Sequence, residues 1–461
     1  MFRSFQTLSP ADGSVFIERP WATDDALESA LTTAVSAAAG WKRTPLVQRQ
    51  AIVEAAVQWL EANEARLAEE LTQQMGRPIR YAAGEIRGTA ARARTMSALA
   101  PDALADITPP VKAGFTRFIR RVPLGVVLVL SPWNYPWLTA VNAIVPALLS
   151  GNVVLLKHSD QTPLVAERFV EAFTAAGLPS GVFQYLHMDH DLTARAVGDP
   201  RVDFVAFTGS LAGGEAVHKA AGGTLKAMGL ELGGKDPAYV RADADLAFAI
   251  ESVVDGAFFN SGQSCCAVER IYVHQDRYAE FVAGATALVQ QYTVGDPMDA
   301  DTTLGPLVRP RNAAMVQSQI DAAVSAGARQ LVDTAAFSCP SDAYLPPQLL
   351  VDVDHTMAIM TAETFGPVVG IMAVSGDAEA IRLMNDSAFG LTASIWTQDE
   401  SAAMAIGSAL QTGTVFMNRC DYLDPELAWV GVKGSGRGCT LSAVGFESLT
   451  RPKSFHLRVR Q

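Results

Sequence analysis

Two adjacent thiols stand in Phe258-Phe259-Asn260-Ser261-Gly262-Gln263-Ser264-Cys265-Cys266-Ala267, after an apolar helix-like run and ahead of the strand-like Arg270-Ile271-Tyr272-Val273-His274. A bendable Gly-Gln-Ser turn lets backbone approach a substrate closely, and a thiol just beyond it is the most nucleophilic side chain available near neutral pH. Read alone, Cys265 and Cys266 are equally two small buried hydrophobes, the ordinary fate of free intracellular cysteines. A carboxylate suited to base chemistry is Glu231, in Gly229-Leu230-Glu231-Leu232-Gly233-Gly234-Lys235. Desolvation in so apolar and glycine-rich a stretch raises a carboxyl toward the range of a useful base. The same stretch nearly spells a P-loop. Asp236 stands where Ser or Thr must hold magnesium, however, and Pro237 continues the required helix poorly, so a nucleotide triphosphatase is rejected.

The remaining candidates sit at predicted strand ends. Trp133-Asn134-Tyr135-Pro136 offers an amide that either donates to a developing oxyanion or caps the next helix, with Pro136 in its first turn. Lys157 and Asp160 pair a cation with a carboxylate, as two ribose hydroxyls require, or form a solvated surface pair. Gly209-Ser210-Leu211-Ala212-Gly213-Gly214 follows a strand and opens a helix, an anion site suited to a pyrophosphate, although no G-x-G-x-x-G occurs in the chain. Glu363-Thr364-Phe365-Gly366-Pro367 puts a carboxylate and a ring on a loop entering a strand. The seven histidines show no metal spacing, and no metal site is assigned.

The elements that must position these groups follow from hydrophobic rhythm. Residues 45–75 recur at helical spacing to the stop Gly76-Arg77-Pro78, and a second helix is predicted over 81–99. From residue 126, short apolar β-type runs alternate with helical ones (126–130, 153–156, 183–186, 204–207), the signature of βαβ units and a parallel sheet with ligands outside its carboxyl ends. A second α/β series begins after Gly233-Gly234, which predicts two domains with Glu231 and Cys265 near the cleft between them. The alternating stretch 111–122 is read as a hairpin leaving the first domain, with the tail 453–459 as its partner or a neighbouring subunit's.

At 461 residues with a net charge of −12, the chain is large enough for two or three domains and carries no basic cluster for nucleic acid. Five scattered cysteines without a C-x-x-C pair fit neither a disulfide framework nor zinc. The first residues hold no apolar signal core, and the most apolar run (140–149) is interrupted by Asn142 and Pro146 well short of a membrane span. A reducing cytoplasm and no membrane partner are expected.

Pro132-Trp133-Asn134, Lys157, Phe207-Thr208-Gly209-Ser210, Glu231-Leu232-Gly233-Gly234-Lys235, Gly262-Gln263-Ser264-Cys265 and Glu363-Thr364-Phe365-Gly366-Pro367, in this order and at these separations, resemble the aldehyde dehydrogenase superfamily. The resemblance implies an α/β fold: a Rossmann-like cofactor domain (1–107 and 124–233), an α/β catalytic domain (234–435), and a small β bridging region (108–123 and 436–461) that makes dimers or tetramers. It implies that Cys265 is the nucleophile, Glu231 the general base, and Asn134 the side-chain half of an oxyanion hole completed by the Cys265 amide. Lys157 and Asp160 would hold the adenosine ribose, Gly209 and Ser210 meet the pyrophosphate, Trp133 line the cofactor groove, and Glu363 with Phe365 position the nicotinamide. The implied reaction is oxidation of an aldehyde to its acid by NAD(P), through a Cys265 thioester hydrolysed by water that Glu231 activates.

Asp160 is one methylene shorter than the Glu many NAD-using members carry; NAD is expected, with NADP tolerated. Ala362 replaces a frequent second acid, and the loop Asn418-Arg419-Cys420-Asp421-Tyr422-Leu423-Asp424-Pro425 is more charged than the aromatic wall usual for alkyl aldehydes. Tyr135, Trp137 and Tyr422 are expected to line an aromatic-tolerant tunnel, while Arg419 would suit an aldehyde bearing a carboxylate. The rival readings are a coenzyme A-acylating dehydrogenase, which generally lacks the base Glu, and a catalytically silent protein that keeps the fold.

Overall fold

The computed structural model describes residues 3–458; Met1, Phe2 and the end of the tail from Val459 lie outside the described residues. Two open sheets organise the chain. The first has six strands in the order Gly436–Arg437, Ala227–Glu231, Phe204–Thr208, Val126–Ser131, Val153–His158, Phe183–Tyr185, all parallel except the short first one. Its central strand, Val-Val-Leu-Val-Leu-Ser, is buried along its whole length, as expected of a parallel strand covered on both faces. The covering helices include Pro136–Leu149, opened by a proline in its first turn, and Leu211–Ala220, capped by Ser210, whose hydroxyl accepts from the Gly213 amide.

The second sheet has seven strands, built on Asp236–Val240, Val268–His274, Val368–Val374 and Thr392–Trp396. The two sheets part between Glu231 and Asp236, and a hydrophobic core lies against each. The predicted helix over 45–75 is two helices, Leu46–Ala62 and Glu64–Met75. Asn63 breaks it: its backbone leaves the helical region and its side-chain amide donates to the Trp59 carbonyl, a local bond that competes with the helix ladder. The helix predicted at 81–99 runs Ile79–Ala103.

Phe115–Pro123 pairs antiparallel with Thr450–Arg458 over nine register positions, with Phe118 stacked on Phe455 at 4.5 Å. The bridging segment expected from residue 436 onward begins later. Gly436–Arg437 instead adds to the edge of the first sheet, with Gly436 opposite Glu231, and Leu441, Phe446 and Leu449 are buried in that domain's core. Among the described residues, no helix is long and apolar enough to cross a membrane.

Candidate active site

The helix Leu246–Phe258 ends in Asn260, Ser261 and Gly262, all at positive φ (55°, 57° and 72°). Two non-glycine residues in the left-handed region are costly, and local bonds hold them there. Ser261 Oγ donates to the Gly305 carbonyl at 2.8 Å, Gln263 Nε2 donates to the Asn260 carbonyl, and Gln263 Oε1 accepts from the Val308 amide at 2.9 Å. A Cβ on Gly262 would collide with the Gly366 carbonyl, and one on Gly234 with the Cys265 carbonyl. Both glycines therefore let the thiol loop, the Glu231–Lys235 turn and the Glu363–Pro367 loop come together.

The structure separates the two sulfurs. Cys265 is half-buried and lines a cavity of about 750 Å³ shared with Glu231, Tyr135, Thr139 and Asn142. Cys266 is 3 % exposed, and its Sγ lies 3.1 Å from Asp421 Oδ1, which also accepts from Ser264 Oγ at 2.7 Å. Hydrogen bonding to Cys265 and burial push the Cys266 thiol well above its ordinary value, so it stays protonated. Burial likewise lifts the Asp421 carboxyl.

Asn134 is buried, and its Nδ2 donates to the Gln263 carbonyl at 3.3 Å, two residues before the half-buried thiol. Arg77 is the hub beneath it. The Arg77 guanidinium donates to the Asn134 carbonyl at 2.6 Å and to Asn260 Oδ1 at 3.1 Å, pairs with the Glu85 carboxylate, and lies 4.4 Å over the Tyr135 ring. The sequence showed Arg77 only as part of a helix stop, because nothing local distinguishes an exposed arginine from a buried one. Glu231 ends its strand with Oε1 accepting from Thr440 Oγ1 and Oε2 3.5 Å from Thr208 Oγ1. Burial raises its carboxyl, while Thr440 and the Arg92 charge act against that rise. Thr440 and Arg92 carry no sequence signal, the first being 209 residues away from its partner.

On the other side of the thiol loop, the Phe365 ring meets Trp133 edge-to-face at 5.7 Å. Glu363 accepts from the Gly234 amide at 3.1 Å, and burial, then the Glu269 carboxylate, pushes it up to about 7. Lys235, the near-P-loop lysine, is wholly buried in an ion pair with Glu269 at 2.7 Å, and Glu269 in turn accepts from the Thr364 and Phe365 amides. That network fixes the Glu363 loop. Lys157, near the end of its strand, is half-buried, its ammonium depressed by desolvation and without a protein acceptor among the described residues. Asp160 does not pair with it; its carboxylate meets Arg309 at 3.0 Å. The half-buried Lys157 ammonium and the N-terminal amides of Leu211–Ala220, next to Gly209 and Ser210, are donors of the kind that a dinucleotide's ribose hydroxyls and pyrophosphate accept from.

One expected substrate contact is corrected. Trp137 is 1 % exposed and packs on Phe169 at 4.6 Å beneath the sheet, away from the cavity, because it lies on the inward face of a helix buried on nearly all sides. Tyr135, Arg419 and Tyr422 do line the cavity. Arg419 is exposed there, its guanidinium 3.4 Å over the Tyr422 ring.

The family model for the aldehyde dehydrogenase family matches residues 2–455. The chain belongs to the aldehyde dehydrogenase family. Among its relatives, this aldehyde dehydrogenase is 35% identical to succinate-semialdehyde dehydrogenase (NADP+) 1 of Mycobacterium tuberculosis strain H37Rv, over 97% of this chain and 98% of the other. It is 33% identical to the succinate semialdehyde dehydrogenase (NAD(P)+) Sad of Escherichia coli K12, over 95% of each. The structure of an NADP-dependent glyceraldehyde-3-phosphate dehydrogenase from Bacillus halodurans C-125, complexed with NADP, superposes with a TM-score of 0.94 at 33% identity, covering 99% of this chain and 96% of that one. PnpE in complex with nicotinamide adenine dinucleotide superposes at 0.95 and 30% identity, covering 100% and 95%. The fold is that of the aldehyde dehydrogenases, and the activity is NAD(P)-dependent oxidation of an aldehyde.

Proposed function

We propose that Cys265 is the nucleophile of this oxidation, Glu231 the base that hydrolyses its thioester, and Asn134 the oxyanion donor, acting on an aldehyde that also carries a carboxylate. The observation that carries the assignment is convergence: the half-buried thiol and the Glu231 carboxylate ending the first sheet's strand line one cavity, and the Asn134 amide is bonded to the thiol loop two residues before Cys265. Attack of the Cys265 thiolate on the aldehyde carbon leaves an oxyanion. Asn134 Nδ2, released from its long bond to Gln263, donates to that oxygen together with the Cys265 amide, each donor of this kind being worth about 3 kcal/mol. The bound nicotinamide supplies the hydride acceptor; Trp133, Phe365, Glu363, Lys157, Asp160, Gly209 and Ser210 are the residues that would hold the dinucleotide.

Glu231, swung from Thr440 toward the thioester, takes a proton from water, and the thiolate leaves as the acid forms. A base carboxylate supports hydrolysis over transfer to coenzyme A. The carboxylate-bearing substrate class is supported by the two semialdehyde dehydrogenases above and by a cationic group on the cavity wall. The two-stranded ribbon of Phe115–Pro123 and Thr450–Arg458, which joins neither of the two main sheets, is the proposed subunit contact of a dimer or tetramer. Free thiols suit a reducing, cytoplasmic setting.

Rapid mixing of Glu231→Gln with aldehyde and NAD(P) tests the roles. A stoichiometric burst of reduced cofactor followed by slow turnover is expected, because only hydrolysis needs the carboxylate. Steady-state turnover equal to that of the wild type would overturn the assignment, and acyl-CoA exceeding acid when coenzyme A is supplied would favour the acylating reading.

A further inference from the structure

Arg92, on the Ile79–Ala103 helix, is 9 % exposed and lines the cavity that holds Cys265 and Glu231. Its two protein hydrogen bonds both use Nη1, to the Leu138 carbonyl at 3.0 Å and to Asn142 Oδ1 at 3.2 Å. Among the described residues no carboxylate pairs with it. The two carboxylates whose charge reaches it are otherwise engaged, Glu85 with Arg77 and the Trp137 and Leu138 amides, and Glu231 with Thr440. Buried charges are ordinarily paired, since an unpaired one loses its hydration without recompense. Nε and Nη2 of Arg92 have no protein acceptor, yet neither is sealed off as an orphan in the packed interior.

Asn142 completes the arrangement. A guanidinium has only donors, so Asn142 must turn Oδ1 toward it, which leaves the Asn142 Nδ2 donor without a protein acceptor on the same cavity wall. Unused donors of one cation and one amide, fixed by the Leu138 carbonyl, match a single carboxylate.

We infer that Arg92, with Asn142, is the specificity determinant that anchors the distal carboxylate of the aldehyde substrate. This inference rests on the reading of Cys265 and Glu231 above and names the residue behind the proposed substrate class. It displaces Arg419, which is exposed at the cavity mouth and stacked on Tyr422, where a charge-assisted bond competes with water.

The test compares kcat/KM for succinate semialdehyde with that for its uncharged methyl ester in wild type, Arg92→Met and Asn142→Asp. The wild type should favour the acid. Arg92→Met should lower the acid-to-ester ratio by about 10- to 150-fold, the range for losing a hydrogen-bonded charge contact, mainly through the KM for the acid. Asn142→Asp keeps the side-chain volume while giving Arg92 an internal carboxylate, and should lower the ratio similarly even where Arg92→Met fails to fold. Equal losses on both substrates, as from a role in tuning Glu231, or a ratio within about threefold of wild type in both variants, would overturn the inference. A wild type that oxidises the ester but does not favour the acid defeats Arg92 alone, whereas oxidation of neither compound defeats the underlying assignment and this one with it.

Discussion

Arg77→Met should weaken the fold and blunt catalysis through the same set of bonds. Arg77 and Glu85 are about 2 % and 1 % exposed as side chains, and removing one partner of such a buried pair costs about 3–5 kcal/mol, because the other charge is left uncompensated. Glu85 would keep two bonds, from the Trp137 amide at 2.8 Å and the Leu138 amide at 3.2 Å, at the positive end of the Pro136–Leu149 helix. Those contacts place the loss near the lower bound, about 3 kcal/mol. Unfolding entropy of about 2 cal/mol/K per residue over 461 residues converts that loss into a drop of about 3 °C in Tm. In Arg77→Met/Glu85→Gln the buried charge is gone while the amides keep an acceptor, so about half of the loss should return. Catalysis should not return. Asn134 and Asn260 lose a donor in both variants, and misplacing an oriented group by about 1 Å costs on the order of 100-fold in kcat. Calorimetry and steady-state rates on the three proteins check both halves. A Tm for Arg77→Met within 1 °C of wild type, about the precision of the scan, or a double variant less stable than the single one, would refute the reasoning.

Cys265→Ala should abolish cofactor reduction, whereas Cys266→Ala should cost about 1–2 kcal/mol of stability and leave rates within a few-fold, since its buried thiol stays protonated and is bonded to Asp421. A folded but inactive Cys266→Ala would assign the chemistry to the other sulfur. Glu363 sits at about 7 in the fold against an ordinary 4.5. The folded chain therefore binds the extra proton in that window, and raising the pH through it removes about 3 kcal/mol of stability. Glu363→Gln should lack that decline, so the variant should gain on wild type between pH 5 and pH 8 in denaturant midpoints, by about 3 kcal/mol in all; a constant difference across that range would show that Glu363 is ionised throughout.

The strands and the two-sheet plan were legible because each is written locally, as a run of Val and Leu or a Gly-rich turn, whereas Cys265, Glu231 and Asn134 each kept a structural reading until the motifs were taken together. What escaped was written across the chain. Arg77 and Arg92 look alike in sequence to the exposed Arg87 and Arg94, and only packing of the Ile79–Ala103 and Pro136–Leu149 helices decides which of them is buried. Trp137 was misread for the same reason. It follows Asn134 by three residues on a helix apolar all round, so its sequence could not say which side faces the cavity. Asp160 looked free to bind a ribose until the fold brought Arg309 to it from 149 residues away.

The short strand Gly436–Arg437 has a consequence for how the protein is made. The first sheet begins at Val126, yet its last edge strand, the apolar plug of Leu441, Phe446 and Leu449, and the hydroxyl that holds Glu231 all come from the end of the chain. During synthesis, the first domain must wait with an open β-edge and an unfilled core while the whole second domain emerges and folds. Such an exposed edge invites mispairing, and closing it is a contact of high sequence separation, hence slow. A nascent chain thus acquires the resting position of Glu231 only in the last steps of folding, after the thiol loop has formed, so the proposed nucleophile and base come together only in the finished protein.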